Sequence, residues 1–104
     1  SFRAIPFINM TTLNRETLFR ALFGEPPTRL SLSKLSENTE DWLAILGSRQ
    51  KIVIKYRFNY APLTLAAIAK VLPRVNGGIG VTSERVRQIE SKALRRMRKF
   101  LWEL

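Results

Sequence analysis

The chain has 104 residues, of which 45% are hydrophobic, so it is long enough for one compact domain and too short for two large ones. It contains no cysteine and no histidine. This composition excludes a disulfide framework, a thiolate metal site and the commonest general base, so we expect neither an enzyme nor a metal or cofactor site.

The formal net charge of +10 is confined to the second half of the chain. Residues 1–48 carry five basic and five acidic side chains, whereas residues 49–104 carry thirteen basic and three acidic ones. No acid occurs between Asp41 and Glu84. A one-sided positive field attracts phosphate groups and releases counterions from DNA. The alternative interpretation is a basic surface with no nucleic-acid partner, or one that binds an acidic protein.

From the sequence we expect neither a membrane span nor a signal peptide. No run of about 18 apolar residues predicts a membrane span, and Ser1-Phe2-Arg3 does not resemble the start of a signal peptide. With the lack of cysteine, this favours a cytoplasmic protein that does not contact membranes. A chain that begins at serine also suggests a segment of a longer protein.

The first 37 residues predict an arm, one helix and a linker. Residues 2–10 form a short apolar arm that packs either on the core of this chain or on a neighbouring domain. Asn14 is suited to cap a helix over residues 15–23, which Gly24 would end. The serine-rich residues 28–37 predict a linker or one weak turn of helix. We therefore predict an accessory segment, 1–37, packed on a domain formed by 38–104.

Two further helices are predicted to form the scaffold of that domain. Asn38 can cap the first and Gly47 can end it, while Ser48 can cap the second, which ends near Asn59 and Pro62. The apolar residues expected to face the core are Trp42, Leu43, Ile45, Leu46, Ile52, Val53 and Tyr56.

The last predicted helix has two distinct faces. Thr82 is suited to cap it, so the helix should begin at about Ser83. At about 100° per residue its apolar and polar side chains separate. The apolar face contains Val86, Ile89, Ala93, Leu94, Met97, Phe100, Leu101 and Leu104, and the opposite face contains Glu84, Arg87, Gln88, Ser91 and Arg95.

Glu90 falls inside the apolar sector of this helix, beside Val86 and Ala93. A carboxylate in such a place needs a partner. Arg57 is the first candidate and Lys55 the second. We interpret Glu90 as structural rather than functional.

A short apolar helix precedes the last one and completes a helix-turn-helix pattern. It opens at Leu63-Thr64-Leu65 and carries Ile68 and Leu72. Residues 73–80 then form a glycine-rich loop that can make a small hairpin or a flexible excursion. The loop does not predict a nucleotide site, because no strand precedes it and no Gly-Lys-Ser/Thr follows.

Three segments resemble region four of the sigma factors of bacterial RNA polymerase, which recognises the minus thirty-five promoter element. They are RQKIVIKYRF at 49–58, TLAAIAKVL at 64–72 and VTSERVRQIESKALRRMR at 81–98, the last being the most specific. The resemblance implies an all-α helical bundle with a C-terminal helix-turn-helix, its turn expanded here by the glycine-rich loop. It further implies sequence-specific binding of double-stranded DNA in transcription initiation.

The chain departs from the family pattern at three places. Residues 73–80 replace a turn of about one residue. Ser83 stands where housekeeping members carry an arginine, and serine cannot make that arginine's bidentate contact to guanine. Ala66-Ala67 replaces an acidic pair. These departures bear on promoter specificity more than on the fold.

The resemblance also implies a role for each residue of the helix-turn-helix. Arg87 would donate to guanine, Gln88 would pair with adenine, and Glu84 would accept from cytosine. Arg74 is not covered by the resemblance, because it lies in the loop that the family pattern lacks; this loop either bulges into solvent or adds a phosphate contact through Arg74. The residues expected at the DNA backbone are Lys70, Arg74, Thr82, Ser83, Arg85, Ser91, Lys92 and Arg95. Those expected at the backbone or at a protein partner are Arg96, Arg98 and Lys99.

Protein partners follow from the same resemblance. We expect the RNA polymerase core, through the flap of its β subunit, and an anti-sigma or activator protein as a further partner. One alternative is therefore a protein-docking module without sequence-specific DNA binding. Another is an accessory DNA-binding domain of a larger protein.

Overall fold

The computed structural model describes residues 13–102. This part of the chain forms six α-helices and no β-strand. The predicted all-α class is confirmed over this range. The apolar arm at 2–10 and Leu104 lie outside the described residues. The helices are α1 (Arg15–Phe23), α2 (Arg29–Glu37), α3 (Thr39–Ala44), α4 (Ser48–Arg57), α5 (Leu65–Val71) and α6 (Ser83–Trp102).

Helix α1 has the ends that its sequence predicts. The Asn14 side chain accepts a hydrogen bond from the Thr17 backbone N–H at 3.2 Å. Gly24 follows the helix with φ of 72°, a left-handed conformation that glycine adopts without steric cost. Both predicted caps are therefore confirmed.

Helix α2 corrects the expectation of a linker or one weak turn, since residues 29–37 form a continuous helix. Its start is fixed by a capping box, in which the Thr28 and Ser31 side chains each accept from the other's backbone N–H, at 3.1 and 2.8 Å. Near its end Leu35 is buried, with 2% of its surface exposed, and its carbonyl accepts from Trp42 Nε1 at 3.1 Å. Tertiary contact thus overrides the weak local preference of a serine-rich segment.

Three predicted helix ends in the scaffold are wrong. The Asn38 side chain does not cap α3; its amide donates to the Lys34 carbonyl at 2.7 Å and so closes α2. Helix α3 ends at Ala44, before Gly47 is reached. Gly47, not Ser48, precedes α4 as its N-cap, and the Gln50 side chain accepts from the Gly47 N–H at 3.0 Å.

The core has two clusters, and α6 contributes to both. Of the predicted core residues that the structure describes, Ile45 is exposed, with 36% of its surface accessible, and Leu43, Ile52, Phe100 and Leu101 are half-buried. The first cluster joins α1 to α4 with the C-terminal half of α6 and contains Leu13, Leu18, Leu22, Leu35, Trp42, Leu46, Ile54, Phe58, Ala93, Leu94 and Met97. The second joins α4, α5 and the N-terminal half of α6 and contains Val53, Tyr56, Ile68, Ala69, Leu72, Val86 and Ile89.

Hydrogen bonds as well as packing connect α1 and the residues just before it to the rest of the molecule. The Asn14 N–H donates to the Phe58 carbonyl at 2.6 Å, just after α4. Arg98 Nε donates to the Leu22 carbonyl at 2.5 Å, in the last turn of α1. These bonds hold α1 against α4 and α6. Among the described residues, no helix is long and apolar enough to cross a membrane.

Candidate nucleic-acid interface

Helices α5 and α6 form the helix-turn-helix. The Thr64 hydroxyl accepts from the Ala67 N–H at 3.1 Å, so α5 begins at Leu65. Its buried face packs Ile68 and Leu72 against α6. The Val81 N–H donates to the Ala69 carbonyl at 2.7 Å. This bond fixes the direction in which the chain enters α6.

Residues 73–80 form a small hairpin between the two helices. Pro73 and Ile79 make an antiparallel bridge, and the Arg74 N–H donates to the Gly78 carbonyl at 2.9 Å. Gly77 and Gly78 have φ of 98° and 80°, a backbone conformation that residues with a Cβ rarely adopt. The turn is therefore built on the two glycines.

One face of α6 is free of packing along its first four turns. Thr82 caps the helix, since its hydroxyl accepts from the Arg85 N–H at 3.0 Å. Val86 and Ile89 are buried on the opposite face, as the helical period predicts. An open groove on the free face is lined by Arg85, Arg87, Gln88, Ser91, Lys92 and Arg95, all of which are exposed.

The residues expected at base edges are bonded to their neighbours. Arg87 donates to both oxygens of Glu84, with Nη2 at 2.6 Å from Oε1 and Nε at 2.8 Å from Oε2. This hydrogen-bonded ion pair lowers the pKa of the Glu84 carboxyl and raises the pKa of Arg87. Beside it, Arg85 Nη1 donates to the Gln88 amide oxygen at 3.3 Å. Both pairs are exposed, so a DNA base can compete for each donor and acceptor.

Glu90 lies away from this face and is bound to Arg57. Arg57 Nε is 2.6 Å from Glu90 Oε2, and Arg57 Nη1 donates to the Leu63 carbonyl at 3.3 Å. The side chains are 31% and 18% exposed, so the pair is partly rather than fully buried. It connects α4, α6 and the segment that leads into α5.

The basic residues near the end of α6 divide into bonded and open ones. Arg96 Nη1 donates to the Gln50 side chain at 3.0 Å, and Arg98 Nε holds the end of α1. Lys99 lines an open surface with Arg95, Arg98 and Trp102. The contact between Arg98 and Leu22 joins residues that are 76 positions apart in the chain. The sequence therefore did not indicate this structural role of Arg98.

One exposed side chain, Trp102, escaped the sequence-based prediction. Trp102 is 81% exposed at the end of α6. Its spacing of three and four residues from Lys99 and Arg98 places it on their helical face, which is a signal that the sequence does contain. The hairpin is one of the two forms that the sequence predicts for residues 73–80, and in it Val75 is 83% and Ile79 50% exposed.

A metal site finds no support in residues 13–102, because no group of three or more acidic, histidine or cysteine side chains in that range is arranged to hold a metal ion.

Comparison with known proteins agrees with this geometry. The chain matches the family model described as sigma-70, region 4, over residues 42–99, just over half of its length. The match runs from α3 through α6 and does not include α1 or α2. No solved structure matches the chain. The chain therefore belongs to the sigma-70 region 4 family, which is a family of DNA-binding helix-turn-helix domains of transcription.

Proposed function

We propose that this chain recognises a specific sequence of double-stranded DNA during transcription initiation, with α6 in the major groove. One observation carries the proposal: the polar face of α6 is exposed from Glu84 to Arg95 while its other face is buried. A major groove about 12 Å wide admits an α-helix, and base edges are read by the side chains that it presents.

Three side chains of the first two turns are suited to base edges. Glu84, Arg87 and Gln88 share one face because they are three and four residues apart. Arg87 can donate to guanine O6 and N7, Gln88 can bond adenine N6 and N7, and Glu84 can accept from cytosine N4. For Arg87 and Glu84 this requires exchange of their mutual ion pair for contacts with DNA.

The flanking residues are suited to the phosphate backbone. Arg85, Lys92 and Arg95 line the same groove as Arg87 and Gln88. Thr82, Ser83 and Ser91 are exposed and carry hydroxyl groups. Backbone contacts fix the register of the helix without reading sequence. Because Ser83 cannot replace an arginine at guanine, we expect a preferred site that differs from that of housekeeping family members.

The second candidate function is protein docking, by the RNA polymerase β flap, an anti-sigma protein or an activator. The observation that favours it is Trp102, 81% exposed beside Lys99 and Arg95. An exposed tryptophan among cations is typical of interaction surfaces. Trp102 lies 18 residues from Glu84, which is about 27 Å along a helix, so docking and DNA reading can coexist.

Selection of a duplex from a random pool, followed by fluorescence anisotropy with the complete chain, tests the proposal. We expect one enriched sequence that the chain prefers over a scrambled duplex. Binding of the pool without enrichment would reduce the function to non-specific DNA binding. If no duplex binds even at low salt, protein docking becomes the better assignment.

A further inference from the structure

We infer that the hairpin of residues 73–80 is a second DNA-binding element, in which Arg74 is held in place to bind a backbone phosphate beside the groove that α6 enters. This inference rests on the proposed function. It adds to that function a contact outside the recognition helix, on a segment where the chain departs from its family pattern.

The hairpin is held together and anchored by hydrogen bonds. The Gly80 N–H donates to the Leu72 carbonyl at 2.9 Å, and the next N–H, that of Val81, donates to the Ala69 carbonyl at 2.7 Å. A Cβ placed on Gly80 would lie 3.8 Å from the Lys70 carbonyl oxygen, so the base of the hairpin rests on the last turn of α5. The hairpin is thus a fixed extension of α5.

Arg74 is oriented by the same hairpin. Its Nε donates to the Gly80 carbonyl at 2.6 Å, and its Cδ lies 4.0 Å from the position of a Cβ on Gly78. A guanidinium has five N–H donors, so four remain on Nη1 and Nη2. These four make no hydrogen bond within residues 13–102, and Arg74 is exposed. A side chain already ordered in this way loses little further conformational entropy when it binds an anion.

The position of Arg74 suits a phosphate beside the major groove. The Gly80 carbonyl that holds the guanidinium is three residues before Ser83, the first residue of α6. Three peptide units span at most about 11 Å, which is less than the groove width of about 12 Å. The Gly80 carbonyl therefore lies within one groove width of the start of α6, and if α6 enters the groove, Arg74 is close enough to reach a phosphate that borders it.

The local charge favours an anion as the ligand. Lys70 is exposed on the last turn of α5, and no acidic residue occurs between Asp41 and Glu84. The carboxylate of Glu84 is already bound to Arg87. Arg74 and Lys70 are therefore not neutralised by a neighbouring acid in sequence, and a phosphate is the complementary group.

The first test compares wild-type chain with Arg74→Ala on the selected and on the scrambled duplex over a range of salt concentrations. We expect several-fold weaker binding on both duplexes and a salt slope smaller by about 0.9, the value for one lost phosphate contact. Arg29→Ala is the matched control, because Arg29 is an exposed arginine on α2 and its loss changes the net charge equally.

A second test separates positioning from charge. Gly78→Val strains the hairpin, where φ is 80°, without changing any charge. We expect it to weaken DNA binding in the wild-type chain and to have little further effect in Arg74→Ala. Additive effects in this double-mutant cycle would contradict a positioning role for the hairpin.

Ethylation interference on the selected duplex then locates the contact. We expect one phosphate whose ethylation weakens DNA binding by the wild-type chain but not by Arg74→Ala. An unchanged salt slope and interference pattern for Arg74→Ala would overturn the hairpin inference and leave the role of α6 intact. Loss of RNA polymerase core binding in Val75→Ser/Ile79→Ser, with that same unchanged slope, would instead assign the hairpin to a protein. No duplex binding by the wild type would overturn both proposals.

Discussion

At the level of single residues, Glu84 and Arg87 restrain each other before DNA arrives. The bidentate pair keeps the guanidinium of Arg87 on the exposed face of α6. In the proposed complex, binding of Arg87 to guanine would exchange this pair for base contacts and release Glu84 to accept from cytosine. The ion pair would then couple the readout of two base positions.

The titration of Glu84 tests the ion pair with Arg87. Its pKa is lowered chiefly by the hydrogen bond from Arg87. The ion pair is therefore complete above the ordinary pKa of a glutamate and is lost as the pH falls through the lower pKa of the folded state. We expect NMR of the Glu84 carboxyl carbon to show a higher pKa in Arg87→Ala. Arg95→Ala, three turns away, should leave it unchanged; equal values in all three chains would contradict the pairing.

Residues that contact base edges and residues that contact only the DNA backbone should differ in how their substitution changes sequence discrimination. Arg87→Ala and Gln88→Ala should each lower discrimination between the selected and scrambled duplexes by about 1 to 3 kcal/mol, because base contacts carry sequence information. Lys99→Ala, over two turns further along α6, should not change this discrimination. Anisotropy titrations of both duplexes measure these differences. Undiminished discrimination in Arg87→Ala and Gln88→Ala would remove their assigned roles.

The Arg57–Glu90 ion pair joins α4 to α6, the helix that we propose binds DNA. Arg57→Met should destabilise the chain by about 1 to 3 kcal/mol, between the values for exposed and fully buried pairs, because Glu90 retains some contact with water. Urea unfolding measures the change. Replacing both residues, as Arg57→Met/Glu90→Leu, should recover part of the loss, whereas an unchanged midpoint in Arg57→Met would show that the pair contributes nothing.

At the level of elements, α6 serves two halves of the molecule. Its first turns pack on α5 and carry the exposed polar face, while Leu94 and Met97 pack in the first cluster with residues of α1 and α2. The family match covers α6 up to Lys99 but not α1 or α2. Helix α1 packs on the C-terminal half of α6, and α2 packs on α1 and α3.

This packing predicts one cooperative unit that includes α1 and α2. Leu18 on α1 is fully buried in the first cluster, so Leu18→Ala should cost about 2 to 5 kcal/mol. Trp42 lies in the same cluster and its fluorescence reports the transition. Leu30→Ala is the control, because Leu30 is 80% exposed and should change stability by less than about 0.5 kcal/mol. Two separate unfolding transitions would contradict a shared core.

At the level of the whole molecule, the net positive charge lies in the second half of the chain. Residues 1–48 are balanced, and the net charge of +10 belongs to the segment that contains α4, α5 and α6. The positive field is therefore strongest around the helix-turn-helix. Such a field speeds association with DNA and makes affinity depend on salt.

The salt dependence gives a quantitative prediction. If about five phosphates are neutralised, log K should fall against log salt with a slope of about −4 to −5. Anisotropy titrations at several salt concentrations measure the slope. A slope near zero would show that the excess positive charge lies away from the DNA, and would favour an acidic protein as its partner.

The sequence by itself determined the features whose causes are local. The two faces of α6 follow from the helical period, the starts of α1 and α6 follow from Asn14 and Thr82, and three motifs resemble the family that the comparison then showed. It also favoured Arg57 for Glu90, because a carboxylate on an apolar face requires a cation.

Only the tertiary structure decided the features that depend on distant contacts. Residues 29–37 become a helix because Leu35 is buried against α3, and Arg98 is engaged by the Leu22 carbonyl. Hydrogen bonds anchor the hairpin to the end of α5, and within the hairpin the Gly80 carbonyl accepts a hydrogen bond from Arg74. Periodicity and caps describe neighbours along the chain, whereas burial and long-range hydrogen bonds exist only once the helices have packed.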